Sequence, residues 1–320
     1  MENRKVLGID VGGTKILIGL LDEKNTIIEQ RRYPTVSTNQ KTVITSVFDA
    51  IEHYRETVAS VHDPVAAGIG LVGHVNTQTG VWENSISLKI NDPVPICETL
   101  EKKYKIPFFA DNDVHAATLA EIRFGAGKQV KDFIYMSIGT GIAAGIVCNG
   151  QLVRGASNYA GEVGHMTVSN ISGPVCKCNR QGCIEPVVSG GGIVRSAVSL
   201  LEQYPDSALK GFYDSNTLHA GVVYDEAEKG DKLSLLIVDN VINALEETLT
   251  NLVNLLNPAM IVFGGGALSQ KLILGQIKDN IYKNALPVAV RALNEICISG
   301  LDANTLGLLG ACTLALKEGT

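Results

Sequence analysis

VLGIDVGGTKILIGLLDEKNTIIEQRRY, Val6–Tyr33, reads as a strand at Val6–Ile9, a glycine turn, and further strands at Ile16–Leu21 and Thr26–Tyr33. Gly-rich and DEKN clusters between β-branched apolar runs are turn signals, so three successive strands are expected. The order returns in FIYMSIGTGIAAGIVCNGQLV, Phe133–Val153: strand Phe133–Ile138, turn GTG, strand Ala143–Cys148, an Asn149-Gly150 hairpin turn and strand Gln151–Val153. One unit written twice predicts a duplicated domain with a similar backbone loop in each copy.

Outward from these copies, Thr42–Val58 has helical spacing and Val65–Val72 is a buried-strand run ending at Gly73. Phe108–Phe109 is expected as a short strand before a helix over Val114–Phe124. Beyond residue 186 the pattern is mostly helical, longest at Leu233–Leu256, where Pro258 ends it before strand Met260–Phe263. The class is therefore α/β, and 320 residues suit two domains. The chain lacks an apolar run of bilayer length and a signal-peptide core, which sets the expectation of a cytoplasmic protein. A net charge of -6 argues against non-specific nucleic-acid binding.

The glycine turns carry the first chemistry. In DVGGTK, Gly12 and Gly13 leave room for a polyphosphate to reach backbone N–H groups, Thr14 adds a hydroxyl and Lys15 a cation. Asp10, at a strand end, is placed to hold Mg²⁺ directly or through water. An ordinary hairpin turn is the competing reading of two adjacent glycines. IGTGIAAG, with Gly139, Thr140 and Gly141, fits the dinucleotide spacing, but a β-like stretch follows where that motif needs a helix. Gly264, Gly265 and Gly266 after a buried strand suit a nucleotide contact or a turn equally. Taken together, the three turns favour an ATP cleft between two domains.

Seven cysteines include a cluster, Cys176, Cys178 and Cys183, whose crowding points to a metal rather than to disulfides. Cys97, Cys148, Cys297 and Cys312 lie in apolar stretches and are expected as small core residues.

DVGGTK, the GTG turn and GEVGHMTV…CKCNRQGCIE together resemble the ROK family of sugar kinases and repressors, from Val6 to the closing LGLLGACTLAL. The resemblance implies an actin-like (ribonuclease H-like) ATPase fold of two α/β domains with ATP and sugar between them. It places a small domain at residues 1–115, completed by a helix over 305–320, and a large domain at 116–304 bearing a zinc loop and a dimerisation surface. His165, Cys176, Cys178 and Cys183 match the family's zinc ligands, and a Cys₃His set independently makes a closed tetrahedral site, structural rather than catalytic. Asn179 stands where the family pattern usually has glycine, and Asn tolerates a left-handed backbone.

Asp111–Asp113 reads DND before a helix, and on spacing alone this is a helix cap. The resemblance instead makes Asp113 the base that takes the proton of a sugar hydroxyl, expected on C6, with Asn112 on a neighbouring hydroxyl. It makes Glu162, Glu185, His165 and Asn84 sugar contacts, with Gly70–Gly73 close by. The expected partners are a hexose, ATP and a second copy of the chain, with no nucleic acid and no membrane. The expected reaction is ATP-dependent phosphorylation of a hexose, glucose first, then N-acetylmannosamine or N-acetylglucosamine. A ROK-type repressor is the alternative reading, disfavoured because its winged helix precedes a phosphate motif that here begins at Asp10. An actin-like ATPase would lack the Cys₃His stretch. A catalytically silent sugar binder would share every motif.

Overall fold

β1 (Val6–Val11) is apolar except for Asp10 near its end, because both of its faces are covered. A three-residue turn joins it to β2 (Lys15–Leu21), its antiparallel partner, and β2 pairs antiparallel with β3 (Ile27–Pro34). Helix α1 (Gln40–Thr57) follows, opened by a capping box between Asn39 and Thr42. β4 (Ala66–Leu71) then pairs parallel with β1 on its free side. A small hairpin, β5 (His74–Asn76) and β6 (Val81–Asn84), and helix α2 (Ile96–Tyr104) lead to β7 (Phe108–Asn112), parallel to β4. The sheet order is β3–β2–β1–β4–β7, and helix α3 (Asp113–Phe124) leaves directly from the end of β7.

The computed structural model describes residues 5–59, 62–169, 173–266 and 271–316, and it divides into two units. The first unit runs to Gln129 and takes in Gly150–Ala160 and the chain from Gly300 onward. Its sheet is closed on one side by the last helix, which approaches so tightly that a side chain at Gly68 would overlap the Ala311 carbonyl. The expected boundary after residue 115 falls inside α3. The unit continues to Gln129 because α3 packs along the closing helix and shares its core.

The second unit, Val130–Asn149 with Gly161–Ser299, repeats the design. β8 (Phe133–Ile138) and β9 (Ile142–Cys148) are an antiparallel pair with another three-residue turn. The short strand β10 (Gln151–Leu152) lies in the segment that groups with the first unit. Helices α4 (Glu185–Val188), α5 (Gly190–Leu200), α6 (Leu209–Asp214), α7 (Ala220–Glu228) and α8 (Lys232–Leu256) precede β11 (Met260–Gly264). After α9 (Lys271–Asn284) and α10 (Pro287–Ala292), β12 (Glu295–Ile298) completes the sheet and α11 (Leu306–Leu316) closes the chain. β11 runs parallel to β8 and β12 parallel to β11, so β8, β9, β11 and β12 repeat the places of β1, β2, β4 and β7. The duplication seen in the sequence is thus a duplication of sheet topology.

α8 ends as expected: Asn257 takes the left-handed conformation and Pro258 follows. Of the cysteines expected in the core, Cys97 and Cys312 are buried, whereas Cys148 and Cys297 are only half-buried at strand ends. No helix among the described residues is long and apolar enough to cross a membrane.

Candidate active site and metal cluster

In the first unit the predicted chemistry gathers at the carboxyl ends of parallel strands, the usual place for a site on an open α/β sheet. Asp10 of β1, Gly70 of β4 and Asp111 of β7 are register neighbours. A methyl group at Gly70 would stand 3.8 Å from the Asp113 Cα and 3.9 Å from Asp10 Oδ1, so the predicted base and the predicted Mg²⁺ carboxylate share one neighbour. Asp10 also lies against the first turn of α11, where a Cβ at Gly307 would stand 2.5 Å from Asp10 Oδ2. Burial pushes the Asp10 carboxyl up to about 6, against the pull of Lys15. Lys15 and the N-terminal end of α11 favour the ionised form of Asp10, the form that ligates a hydrated cation.

The cap of α3 is Asn112, not Asp113. Asn112 Oδ1 accepts the N–H groups of Val114 (2.8 Å) and His115 (3.2 Å), and its Nδ2 donates to the Gly73 carbonyl at 3.0 Å. Asp113 is the first helical residue, and its Oδ1 accepts the Val114 N–H at 3.0 Å. Gly73 has φ 107° and sits against the Asn84 carbonyl, where any side chain would overlap. Asn84 is exposed at the end of β6, opposite His74. Asn84, Gly73, Asn112 and Asp113 therefore form one connected run.

Beside them is a cluster that sequence reasoning missed. Asp111, fully buried, receives Arg154 Nε at 3.1 Å and Nη2 at 2.7 Å on one oxygen. Its other oxygen takes the Asn112 N–H at 2.8 Å and lies 3.1 Å from His115 Nδ1. Burial alone would push Asp111 up, but His115 and Arg154 together outweigh it and hold its carboxyl below the usual value. No periodicity marks these residues; the one available signal was a charged residue on a strand.

The two glycine turns differ in what the fold asks of them. At Gly13 and Gly139 an added Cβ would meet nothing within 4 Å and neither φ is positive, so packing gives no reason for glycine there. Both turns therefore leave their backbone open to a ligand. Thr14 and Thr140 are exposed beside them. Gly12 donates its N–H to the Lys15 carbonyl, and Gly139 donates to Gly141, both at 2.9 Å. Gly264 and Gly265 have structural reasons of their own: side chains there would overlap the Tyr135 hydroxyl and the Ile138 carbonyl. Gly266 is open. A helix N-terminus also points at the second turn, since Gly190 N–H donates to the Gly139 carbonyl at 2.8 Å. The run Gly190–Gly192 was not singled out from the sequence.

Glu162 and Glu185 are half-buried rather than solvated surface charges. Glu185 Oε2 lies 2.9 Å from where a Gly141 Cβ would be, setting a predicted sugar carboxylate against a predicted phosphate turn. Glu162 follows Gly161, which has φ 97° and whose carbonyl accepts the Ala144 N–H at 2.8 Å.

His165, Cys176, Cys178 and Cys183 bring one ligand atom each to within 4.8 Å of one another. His165 Nδ1 is 3.6 Å from Cys176 Sγ, and Cys178 Sγ is 3.6 Å from Cys183 Sγ. Around a metal with metal–sulfur bonds of ~2.3 Å the tetrahedral edge is about 3.8 Å, so the four atoms fit a Cys₃His shell. Cys176 and Cys183 are buried, and hydrogen bonds from Arg180 hold Cys178 down to about 6. Asn179 has φ 65°, the left-handed conformation that its position required. His165 turns its second nitrogen the other way: Nε2 lies 3.9 Å from Glu162 Oε2, linking the cluster to a predicted sugar ligand.

Comparison with known proteins bears on the family and the fold. Residues 6–318 match the model of the ROK family. A glucokinase of Halalkalibacterium halodurans is 34% identical over 316 residues, covering 96% of this chain and 94% of that protein. A ROK family glucokinase from Streptomyces griseus, solved in complex with glucose and AMPPNP, is 28% identical with a TM-score of 0.80, covering 98% of this chain and 99% of that one. A ROK family transcriptional regulator, a homologue of the E. coli MLC protein, is 25% identical with a TM-score of 0.84, covering 97% of this chain and 77% of that one. The fold is the actin-like ATPase fold of these kinases.

Proposed function

This chain belongs to the ROK family as an ATP-dependent hexose kinase, and we propose that it transfers the γ-phosphoryl group of ATP to the C6 hydroxyl of glucose. The observation that carries the reading is the meeting of Asp113 and Asp10 at Gly70. A phosphoryl acceptor needs a proton acceptor, and the phosphate needs a cation; Asp10 stands in β1 and Asp113 directly after β7, at the same carboxyl end of the sheet.

Asp113 takes the proton from the C6 hydroxyl as the new O–P bond forms. The bond between the γ-phosphorus and the bridging oxygen breaks, and ADP leaves with its electron pair. Asn84, Asn112, Glu162, Glu185 and His165 hold the sugar by hydrogen bonds. Gly12, Gly13, Thr14 and Lys15, with Gly139, Thr140, Gly141 and Gly266, receive the nucleotide. Mg²⁺ at Asp10 would neutralise charge on the phosphates. Zinc at His165, Cys176, Cys178 and Cys183 would hold the Glu162 loop in shape, with no position open for substrate. Gly264 and Gly265 shape the backbone beside Gly266.

The same reading makes the chain a homodimer through its second unit. Leu255, Leu286 and Val288 there are 78%, 56% and 62% exposed, and a second copy would cover them. Light scattering after gel filtration tests it, with a monomer mass counting against.

The function is tested by ADP release across a panel of hexoses and N-acetylhexosamines, with glucose expected to give the highest kcat/KM. Asp113→Asn is expected to remove nearly all turnover, about 10²-fold or more, while sugar affinity stays near that of the parent. Preference for an N-acetylhexosamine would overturn the choice of glucose. Sugar binding without turnover on any hexose would make the chain a silent sugar binder.

A further inference from the structure

His115 has acceptors at both ends. Its Nδ1 lies 3.1 Å from the Asp111 carboxylate, and its Nε2 lies 2.9 Å from the Ala160 carbonyl. Neither oxygen has a proton to give while Asp111 is ionised. A neutral imidazole owns one N–H, so one of the two contacts would then set a lone pair against an oxygen. Only the imidazolium satisfies both. His115 is 3% exposed, so water cannot take over the unmet contact cheaply.

We infer that His115 is held as an imidazolium and acts as the positioning residue that fixes the Asp113 loop and the Arg154–Ala160 segment for turnover. The inference rests on the reading of Asp113 as the base. The Asp111 oxygen that faces the ring also accepts the Asn112 N–H at 2.8 Å, so the ring and that peptide share one acceptor, with Asp113 inside the loop they close. Ala160, at the ring's other end, immediately precedes Gly161 and Glu162. The same segment is tied a second time by Arg154 on Asp111, and a third time by His74, whose Nε2 lies 2.6 Å from the Ser157 carbonyl.

The charged groups facing His115 are the Asp111 carboxylate from β7 and the Arg154 guanidinium from the Gly150–Ala160 segment. α11, packed along α3, brings no charge, since its one titratable side chain is the buried thiol of Cys312. Burial opposes the proton on His115, but the hydrogen bond and charge of Asp111 and the Ala160 carbonyl outweigh it and raise its pKa. Turnover therefore acquires an alkaline limb that belongs to His115, since loss of the proton breaks one tie of the loop. A catalytic carboxylate displaced by ~1 Å costs on the order of 10²-fold in rate.

The experiment has two arms. Long-range ¹H–¹⁵N correlation on the labelled full chain at neutral pH, with His115→Gln giving the assignment, reads the ring directly. Two protonated nitrogens are expected, and a neutral ring overturns the inference. In the second arm, kcat for the best hexose is followed from neutral into alkaline pH for the parent chain and His115→Gln. The parent is expected to lose about tenfold, while the variant starts about tenfold lower and stays flat, with its sugar KM within about threefold. A variant that keeps the parent's alkaline limb makes His115 merely structural and overturns the inference. Should the variant fail to fold, a neutral or charged ring in the parent still decides, with the assignment taken from backbone-linked spectra. A parent chain that phosphorylates no hexose sinks the kinase reading instead, and the ring's protonation is read independently of that result.

Discussion

Asp10 and Asp113 meet at Gly70, whose missing side chain would stand 3.9 Å from the Asp10 carboxylate and 3.8 Å from the Asp113 Cα. A single methyl fits there at ordinary contact distance, whereas a branched side chain adds two further carbons to the same space. Gly70→Ala is expected to fold normally and keep kcat within about threefold. Gly70→Val should lower kcat by about 10²-fold, because its branches must push one carboxylate or the other out of line. Steady-state kinetics with a melting curve for each variant checks this. Equal activity in both variants would show that the space before Gly70 is not where the two groups act.

The glycines separate into those the fold needs and those it does not. A side chain at Gly161 would overlap the Ala144 carbonyl, and its φ of 97° is already unfavourable for other residues. Gly161→Ala should cost about 2–4 kcal/mol of stability, read by chemical denaturation. At Gly13 nothing lies within 4 Å, so Gly13→Ala should leave stability within about 0.5 kcal/mol. Its kcat/KM for ATP should fall about tenfold or more if a phosphate approaches that backbone. A Gly13 variant that uses ATP as well as its parent would reduce the turn to a plain hairpin.

The frame was legible because its signals are local. Val6–Tyr33 and Phe133–Val153 show apolar runs bounded by turn residues, and each strand stands within a residue or two of its expected place. What escaped is what depends on distance along the chain. Phe108–Phe109 was expected to end before the DND, yet β7 runs through Asn112 because parallel pairing with β4 holds it there. The β5–β6 hairpin is short and polar, and it is fixed by Trp82, which donates to the Val72 carbonyl. Arg154 finds Asp111 across 43 residues, a pairing no spacing rule reaches. For Asp113 spacing offers a helix cap, and the structure gives that cap to Asn112.

The Cys₃His cluster predicts a stoichiometric metal with a role in the sugar loop. The protein as purified should carry one zinc per chain. Cys183→Ser should lose most of it and lower the melting temperature by at least about 5 °C, since a closed metal site is part of folding. Because His165 turns its Nε2 toward Glu162, the sugar KM should rise more than the ATP KM. Zinc-free protein with unchanged melting and unchanged sugar KM would leave the four residues as a coincidence of packing.

The charged cluster behind the loop makes a prediction about stability that is separate from its effect on rate. His115 is raised above its ordinary 6.5 in the folded chain, so its contribution is complete below that pH and is lost as pH climbs through the raised value. Asp111 is lowered below its ordinary 3.8, so its contribution is complete above that pH and is lost on further acidification. Between 3.8 and 6.5 both contributions stand in full. The melting temperature of the parent minus that of the double variant Asp111→Asn/His115→Asn should therefore form a plateau across this window. It should shrink on both sides, on the alkaline side only after His115 begins to lose its proton. A difference that instead grows steadily with pH would mean that a neutral ring is the stabilising form, and that the proton is held elsewhere.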